Sequence, residues 1–334
     1  MAAAANCGSV ARETAGQGRP RGEVQLSVLR LDGVTKRFES FTAVDNLSFD
    51  VPEGGIFGFL GANGAGKTTT LRMALDILRP TSGTIEVLGR PPGRRGGGEI
   101  GFLPEERGLY RQMTVLETVV YFGRLKGMDP GAARTSAETL IERFGLTPFS
   151  RRKVEQLSKG MAQKVQLAAA LVTAPRLLIL DEPFAGLDPV NQAVLEEVVL
   201  DLAKTGSTVV FSTHVMQHAE RLCDRLLLIA RGRKVFQGSQ DEARAQLPAR
   251  LSLAARGDPR ALPGVERAEA QASRDGWTDW AITLSPGASA GSLLEACTTG
   301  GFALQRFETH RASLHEVFLH LAGGEAPSEA GVRT

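Results

Sequence analysis

The sequence predicts an α/β fold: a core with a mixed sheet and a helical subdomain, followed by a small C-terminal α+β domain. Three observations carry this prediction. A short apolar run at 55–60 passes through a glycine-rich loop into a helical stretch at 69–78. Two further apolar runs, 176–181 and 207–214, end in carboxylates or a histidine, where strands of open α/β sheets meet their ligands. Beyond about residue 240 the pattern changes to short alternating segments.

Composition bounds what these elements can build. The 334 residues are long for one domain and comfortable for two, and 42% apolar with 23% charged residues fits a globular chain with a sizeable core. A net charge of +2 argues against a general nucleic-acid binder, so no nucleic-acid partner is expected. Cys7, Cys223 and Cys297 are odd in number and far apart, which suggests neither a disulfide framework nor a zinc site and points to a reducing, cytoplasmic compartment. No apolar run approaches the ~18 residues of a membrane-spanning helix. The first residues lack a basic segment followed by a long apolar one, so no secretory signal is expected. Service to a membrane would then run from the cytoplasm through a partner.

In chain order, residues 1–23 are rich in Ala, Gly and Arg without periodicity and read as a disordered tail. The first domain is expected over 24–240. Stretches 24–31 and 43–51 carry the β-branched and aromatic residues of paired strands. Between them stands Phe38, by itself a core aromatic, but able to offer a flat face to an adenine ring. Gly61, Ala62, Asn63, Gly64, Ala65, Gly66, Lys67 and Thr68 complete the pattern G-x-x-x-x-G-K-[ST] between the 55–60 strand and the helix that continues through Thr69. Its glycines let backbone N–H groups turn inward, and the helix N-terminus favours phosphate oxygens. In that pattern Lys67 reaches the β- and γ-phosphates and the Thr68 hydroxyl holds Mg²⁺.

After a turn at 79–83, strands are expected at 84–89 and 100–103, separated by a Pro/Gly/Arg loop. From 114 to about 174 the period is helical. Val115, Val119, Phe122 and Leu125 mark one face, and Leu140, Ile141, Phe144 and Leu146 another; a helical subdomain over about 105–174 follows. Within it Ser158 and Gly160 head a long helix. Alone Ser158 is an N-cap, but the same position can form a second anion site. The strand at 177–181 delivers Asp181 and Glu182. Because side chains alternate across a strand, the two are expected to do different work: Asp181 to orient Mg²⁺ with Thr68, and Glu182 to act on the attacking water as general base. An amphipathic helix at 190–204 precedes the strand that ends at His214, placed to hydrogen-bond a γ-phosphate.

Together these residues resemble the nucleotide-binding subunit of an ATP-binding-cassette (ABC) transporter over about 29–240. The loop from Gly61 to Thr68, the strand ending at Asp181 with Glu182, the segment Leu157-Ser158-Lys159-Gly160-Met161, the turn Ala185-Gly186-Leu187-Asp188 and His214 stand in that family's order, and Phe38 stands where it has an adenine-stacking aromatic. The resemblance implies a P-loop NTPase core that binds and hydrolyses ATP with Mg²⁺. It also implies a head-to-tail dimer, a homodimer being the expected form, in which Ser158 and Gly160 of one subunit and the turn ending at Asp188 meet nucleotide bound by the other. The stroke would drive a separate membrane-spanning permease from the inner face of the membrane. Two positions depart from the family pattern. Lys159 and Met161 replace a glycine and the glutamine of Leu-Ser-Gly-Gly-Gln, and Glu105 replaces a glutamine that binds Mg²⁺ and senses the permease. A carboxylate at 105 can still act as an oxygen ligand. These departures, with 104–110 and 181–191, are similar to the sodium-extrusion and related export branch. A non-transport cassette ATPase acting on ribosomes or nucleic acid is the alternative; such proteins usually carry two cassettes or long coiled coils. A lone phosphate-loop GTPase would need an Asn/Thr-Lys-x-Asp motif.

A C-terminal accessory α+β domain is expected over 241–322, with strands near 251–255, 277–284 and 303–307 and helices near 291–299 and 313–321. His310, His315 and His320 are poorly spaced for a shared metal, and a dimerisation or regulatory role is expected instead. Residues 323–334 read as a flexible tail.

Overall fold

The computed structural model describes residues 27–93, 98–106, 108–299 and 301–323. The expected tail at 1–23, all but Gly323 of the tail expected at 323–334, and the beginning of the first strand at 24–26 lie outside the described residues.

Strands β1 (Ser27–Arg37), β2 (Thr42–Pro52) and β4 (Ser82–Val87) form an antiparallel sheet of order β2-β1-β4. A second sheet has the order β5-β6-β7-β3-β8-β9, from β3 (Ile56–Leu60), β5 (Ile100–Leu103), β6 (Leu177–Asp181), β7 (Thr208–Thr213), β8 (Arg225–Ala230) and β9 (Arg233–Ser239). Its first five members are parallel, and β9 closes one edge antiparallel. Parallel strands covered on both faces need unbroken apolar runs. Leu178 and Leu180 of β6 and Val209 and Phe211 of β7 accordingly join one apolar cluster, while Leu177, Ile179 and Val210 join another on the opposite face.

Helix α1 (Lys67–Ala74) follows the glycine-rich loop and ends earlier than the 69–78 expected. Asp76 takes a left-handed backbone, φ 56°, so that Leu75 N–H donates to Leu71 O and Ile77 N–H to Arg72 O. That geometry closes a helix, and glycine is its usual signal; here an aspartate serves.

Helices α2 (Val115–Leu125), α3 (Pro130–Arg143) and α4 (Lys159–Leu171) fill the stretch between β5 and β6. Thr114 and Glu117 form a capping box on α2, and Asp129 caps α3 ahead of Pro130. Val115 and Val119 are buried, whereas Leu125 is 66% exposed and departs from the expected apolar face. It occupies the last helical position of α2 and lines an open cavity with Phe102 and Phe122. Helices α5 (Pro189–Lys204), α6 (Met216–Leu222) and α7 (Gln240–Arg244) complete the main body.

The remaining chain forms an antiparallel sheet of order β11-β12-β10-β13, from β10 (Arg250–Arg256), β11 (Val265–Arg274), β12 (Trp277–Leu284) and β13 (Ala303–His310), with α8 (Ala290–Thr299) against it. The apolar pattern does not predict β11. Its sequence VERAEAQASR buries only Ala268, and pairing with β12 overrides its weak strand propensity. Helix α9 (Leu314–Leu321) falls in the stretch read as the C-terminal module, yet its buried Leu314, Val317 and Phe318 join the main-body cluster beside Ala219 and Ala243.

Candidate functional site

The C-terminal ends of β3, β6 and β7 lie side by side, and the loop from Gly61 to Gly66 leaves the first of them. Gly61 is required by space: an added Cβ would lie 2.4 Å from Ile229 O. Gly66 precedes α1 with φ 101°, a conformation that favours glycine, and a Cβ there would meet Ala43 O at 2.5 Å. Asn63 and Gly64 form the exposed crest, Ala62 O accepts from Ala65 N–H at 3.1 Å, Ala65 is buried and Thr69 half-buried.

Lys67, at the first position of α1, turns back beneath the loop. Its Nζ donates to Gly61 O at 2.8 Å and Ala62 O at 3.2 Å, and stands 3.6 Å from Glu182 Oε1. Burial pushes its pKa down, opposed by the charges of Glu182 and Asp181 and, last, of Glu105. Thr68 donates its hydroxyl to Asp181 Oδ1 at 3.2 Å, and Ser212 donates to the same oxygen. Glu182 accepts from the Thr213 hydroxyl at 3.2 Å through Oε2, and its Oε1 meets His214 Nδ1 at 2.9 Å. The two carboxylates are 2% and 9% exposed and keep separate partners. Alternation along β7 sends Ser212 and Thr213 to opposite faces, and each takes one of the two carboxylates.

Glu182 holds a left-handed backbone, φ 47°, unusual for a residue with a side chain. Its N–H donates to Ser212 O at 3.1 Å, and its carbonyl accepts from Ala185 N–H at 3.1 Å. Strained residues of this kind cluster at functional sites.

The donor set fits a hard divalent cation. The Thr68 hydroxyl and the nearly buried Asp181 carboxylate, 3.2 Å apart at a helix N-terminus, could serve as oxygen ligands, and such ions retain water and substrate oxygens for their other positions. Among the described residues no group of three His, Cys, Asp or Glu forms a complete protein cage. Glu105 is exposed beyond β5, and its charge opposes the lowering of the Lys67 pKa.

The other expected site residues lie apart from this cluster in the single chain. Ser158 caps α4, accepting from Met161 N–H at 3.3 Å. Gly160 faces Asn191, whose Nδ2 would stand 2.7 Å from an added Cβ. Asp188 caps α5, accepting from Asn191 N–H at 3.0 Å and Nδ2 at 2.7 Å, which holds its carboxyl below the usual range. The two caps are therefore neighbours through one asparagine. Lys159 extends over the turn between them, its Nζ 1.9 Å from where a Gly186 Cβ would fall, and Met161 packs against the main cluster. Phe38 is 41% exposed and stacks on Phe41 at 5.2 Å between centroids.

Sequence reasoning missed Ser212 and Thr213, whose signal is their place directly before His214 on a strand. It also missed Gln163, which donates to Pro183 O, and Gln166, which donates to Glu106 O at 3.2 Å. Two amides three residues apart on an otherwise apolar helix face were their trace.

Comparison with known proteins adds the following. The ABC transporter family model matches residues 44–185. The chain is 40% identical to an uncharacterized ABC transporter ATP-binding protein, YhaQ of Bacillus subtilis (strain 168), over 89% of this chain and 99% of that protein. It is 35% identical to the Nod factor export ATP-binding protein I of Ralstonia nicotianae, over 89% and 94% of the respective chains. Among solved structures, an ATP-binding subunit of an ABC transporter superposes with a TM-score of 0.61 at 28% identity, covering 66% of this chain and 93% of that one. CbiO1 from Clostridium perfringens, part of the ABC transporter complex CbiONQ, superposes with a TM-score of 0.58 at 26% identity, covering 65% and 90%.

Proposed function

Because the chain belongs to the ATP-binding proteins of ABC transporters, we propose that it hydrolyses ATP to power a membrane exporter through a separate permease, from the cytoplasmic face. The observation that carries this reading is the convergence of Lys67, Glu182 and His214 on one side of the strand ends and Thr68 and Asp181 on the other. In this reading the adenine stacks on Phe38 and the phosphates lie against the loop from Gly61 to Thr69. Lys67 exchanges its two carbonyl partners for β- and γ-phosphate oxygens. Thr68 and Asp181, with Glu105 nearby, hold Mg²⁺, which neutralises phosphate charge when bound. Glu182 takes a proton from the attacking water, and His214, hydrogen-bonded to the same carboxylate, orients the γ-phosphate.

A second copy completes the site. Ser158, Gly160 and Asp188 sit on two helix starts outside the cluster, so in a head-to-tail dimer they present backbone donors to nucleotide held by the partner copy. No helix among the described residues is long and apolar enough to cross a membrane. A cavity of about 880 Å³ between β5, α2 and α4, lined by Phe102, Leu109, Phe122 and Leu125 together with Asp76 and Arg79, offers a mixed apolar and charged surface to a protein partner. The Nod factor export relatives support outward transport, and the sodium-extrusion branch belongs to the same proposal.

The test combines two measurements on the full chain: Mg²⁺-dependent phosphate release, and affinity capture from detergent-solubilised host membranes. Turnover with recovery of a multi-spanning protein supports the proposal. Turnover with recovery of ribosomes or nucleic acid instead would leave the ATP chemistry intact and remove the transport role.

A further inference from the structure

Gln166 lies on the third turn of α4, among Ala162, Val165, Ala169 and Ala170, and is only 7% exposed. A buried amide in such surroundings must find hydrogen-bond partners. Its Nε2 donates to Glu106 O at 3.2 Å and reaches Pro104 O at 3.5 Å, the outer limit for such a bond. These are the carbonyls on either side of Glu105. The loop they belong to has little else to fix it. Proline supplies no N–H, and among the described residues no backbone-to-backbone hydrogen bond outside the strand ladders involves 104–106.

We propose that Gln166 is a positioning residue for the phosphate site: by gripping the backbone before and after Glu105, it fixes where that carboxylate is presented. The proposal rests on the reading of the site as one for Mg²⁺ and ATP. Gln163, one turn nearer the start of α4, donates to Pro183 O directly after Glu182. One helix thus ties down both loops that carry an acidic residue to the site, each through a glutamine amide. The charge of Glu105 already reaches Lys67 across the site, so a displaced loop alters the field in which Mg²⁺ and phosphate settle.

The test is equilibrium binding of a fluorescent ATP analogue to the full-length protein over a Mg²⁺ titration, for wild type, Gln166→Leu, Glu105→Gln and the double variant. Gln166→Leu should raise the half-saturating Mg²⁺ concentration about fivefold, the fold-change matching loss of one ordinary hydrogen bond. In the Glu105→Gln background the same substitution should shift it far less, because the carboxylate being positioned is gone. Hydrogen exchange in the 105–109 segment should rise in parallel. Gln166→Met, which keeps side-chain length, serves if the leucine variant fails to fold. An unchanged Mg²⁺ dependence, or an equal shift in both backgrounds, would overturn the positioning role while leaving ATP binding standing. A wild-type protein that binds no nucleotide would overturn the site reading and this proposal with it.

Discussion

Replacing Lys126 with methionine should stabilise the protein at neutral pH, although it deletes two hydrogen bonds. The Lys126 ammonium sits just past the end of α2, donating to Ile100 O at 3.2 Å and Ala170 O at 3.3 Å, and among the described residues it has no carboxylate partner. Burial pushes its pKa down from 10.5 to about 8. At about 1.4 kcal/mol per pH unit, that difference corresponds to a desolvation cost of at most about 3.5 kcal/mol below pH 8. Each lost hydrogen bond costs about 1 kcal/mol, less where water from the adjoining cavity replaces the ammonium. Desolvation wins, leaving a net gain of about 1 kcal/mol and a melting temperature higher by roughly 2 °C. The pH dependence has a definite sign. Below pH 8 both folded and unfolded states carry the charge and the cost is fully present. Between 8 and 10.5 the folded state sheds its proton first, so wild-type stability rises with pH and the gap closes. Thermal melts of both proteins at pH 7 and pH 10 decide it. A variant that melts below wild type at pH 7, or a gap that persists at pH 10, would refute the reasoning.

Glu182→Gln should retain ATP binding but lower phosphate release by about 10²–10⁴-fold, the contribution of a positioned base; near-wild-type turnover would remove Glu182 from that role. Gly61→Ala should abolish nucleotide binding and lower stability by about 1–3 kcal/mol, because its methyl collides with Ile229 O at 2.4 Å, a backbone atom that cannot rotate away. Calorimetry with titrated ATP reads both effects. Phe38→Ala should weaken ATP binding by about two- to tenfold, the worth of one aromatic stack, with a much smaller effect on the melting temperature, since the ring is 41% exposed; unchanged affinity would leave Phe38 as a partner of Phe41 and Lys36.

Strands β3, β6 and β7 were legible because parallel strands buried on both faces need runs such as IFGFL and LLILD, and little else produces them. The convergence of Lys67, Thr68, Asp181, Glu182 and His214 was legible for a related reason: strand ends of one parallel sheet share an edge, so residues far apart in sequence arrive together. What needed coordinates was whatever depends on a neighbour. The stop of α1 at a left-handed Asp76, the strand state of β11 and the exposure of Leu125 each follow from packing that local pattern does not encode. Ser212 and Gln166 are ordinary polar residues until Asp181 and the Glu105 loop are set beside them.

The return of α9 to the main body alters how the chain can be cut. Arg244 of α7 donates to Ala312 O at 3.0 Å, and Leu314 N–H donates to Glu220 on α6. The four-stranded sheet is thus bracketed by two helices that belong elsewhere, an excursion with both its exits anchored in the same place. Truncation after residue 240 would tear Leu314, Val317 and Phe318 out of the apolar interior beside α6, whereas excising 250–310 and splicing the ends would spare it. An internal deletion of the four-stranded sheet, and not a chain shortened at its end, is the way to obtain the nucleotide-binding body by itself.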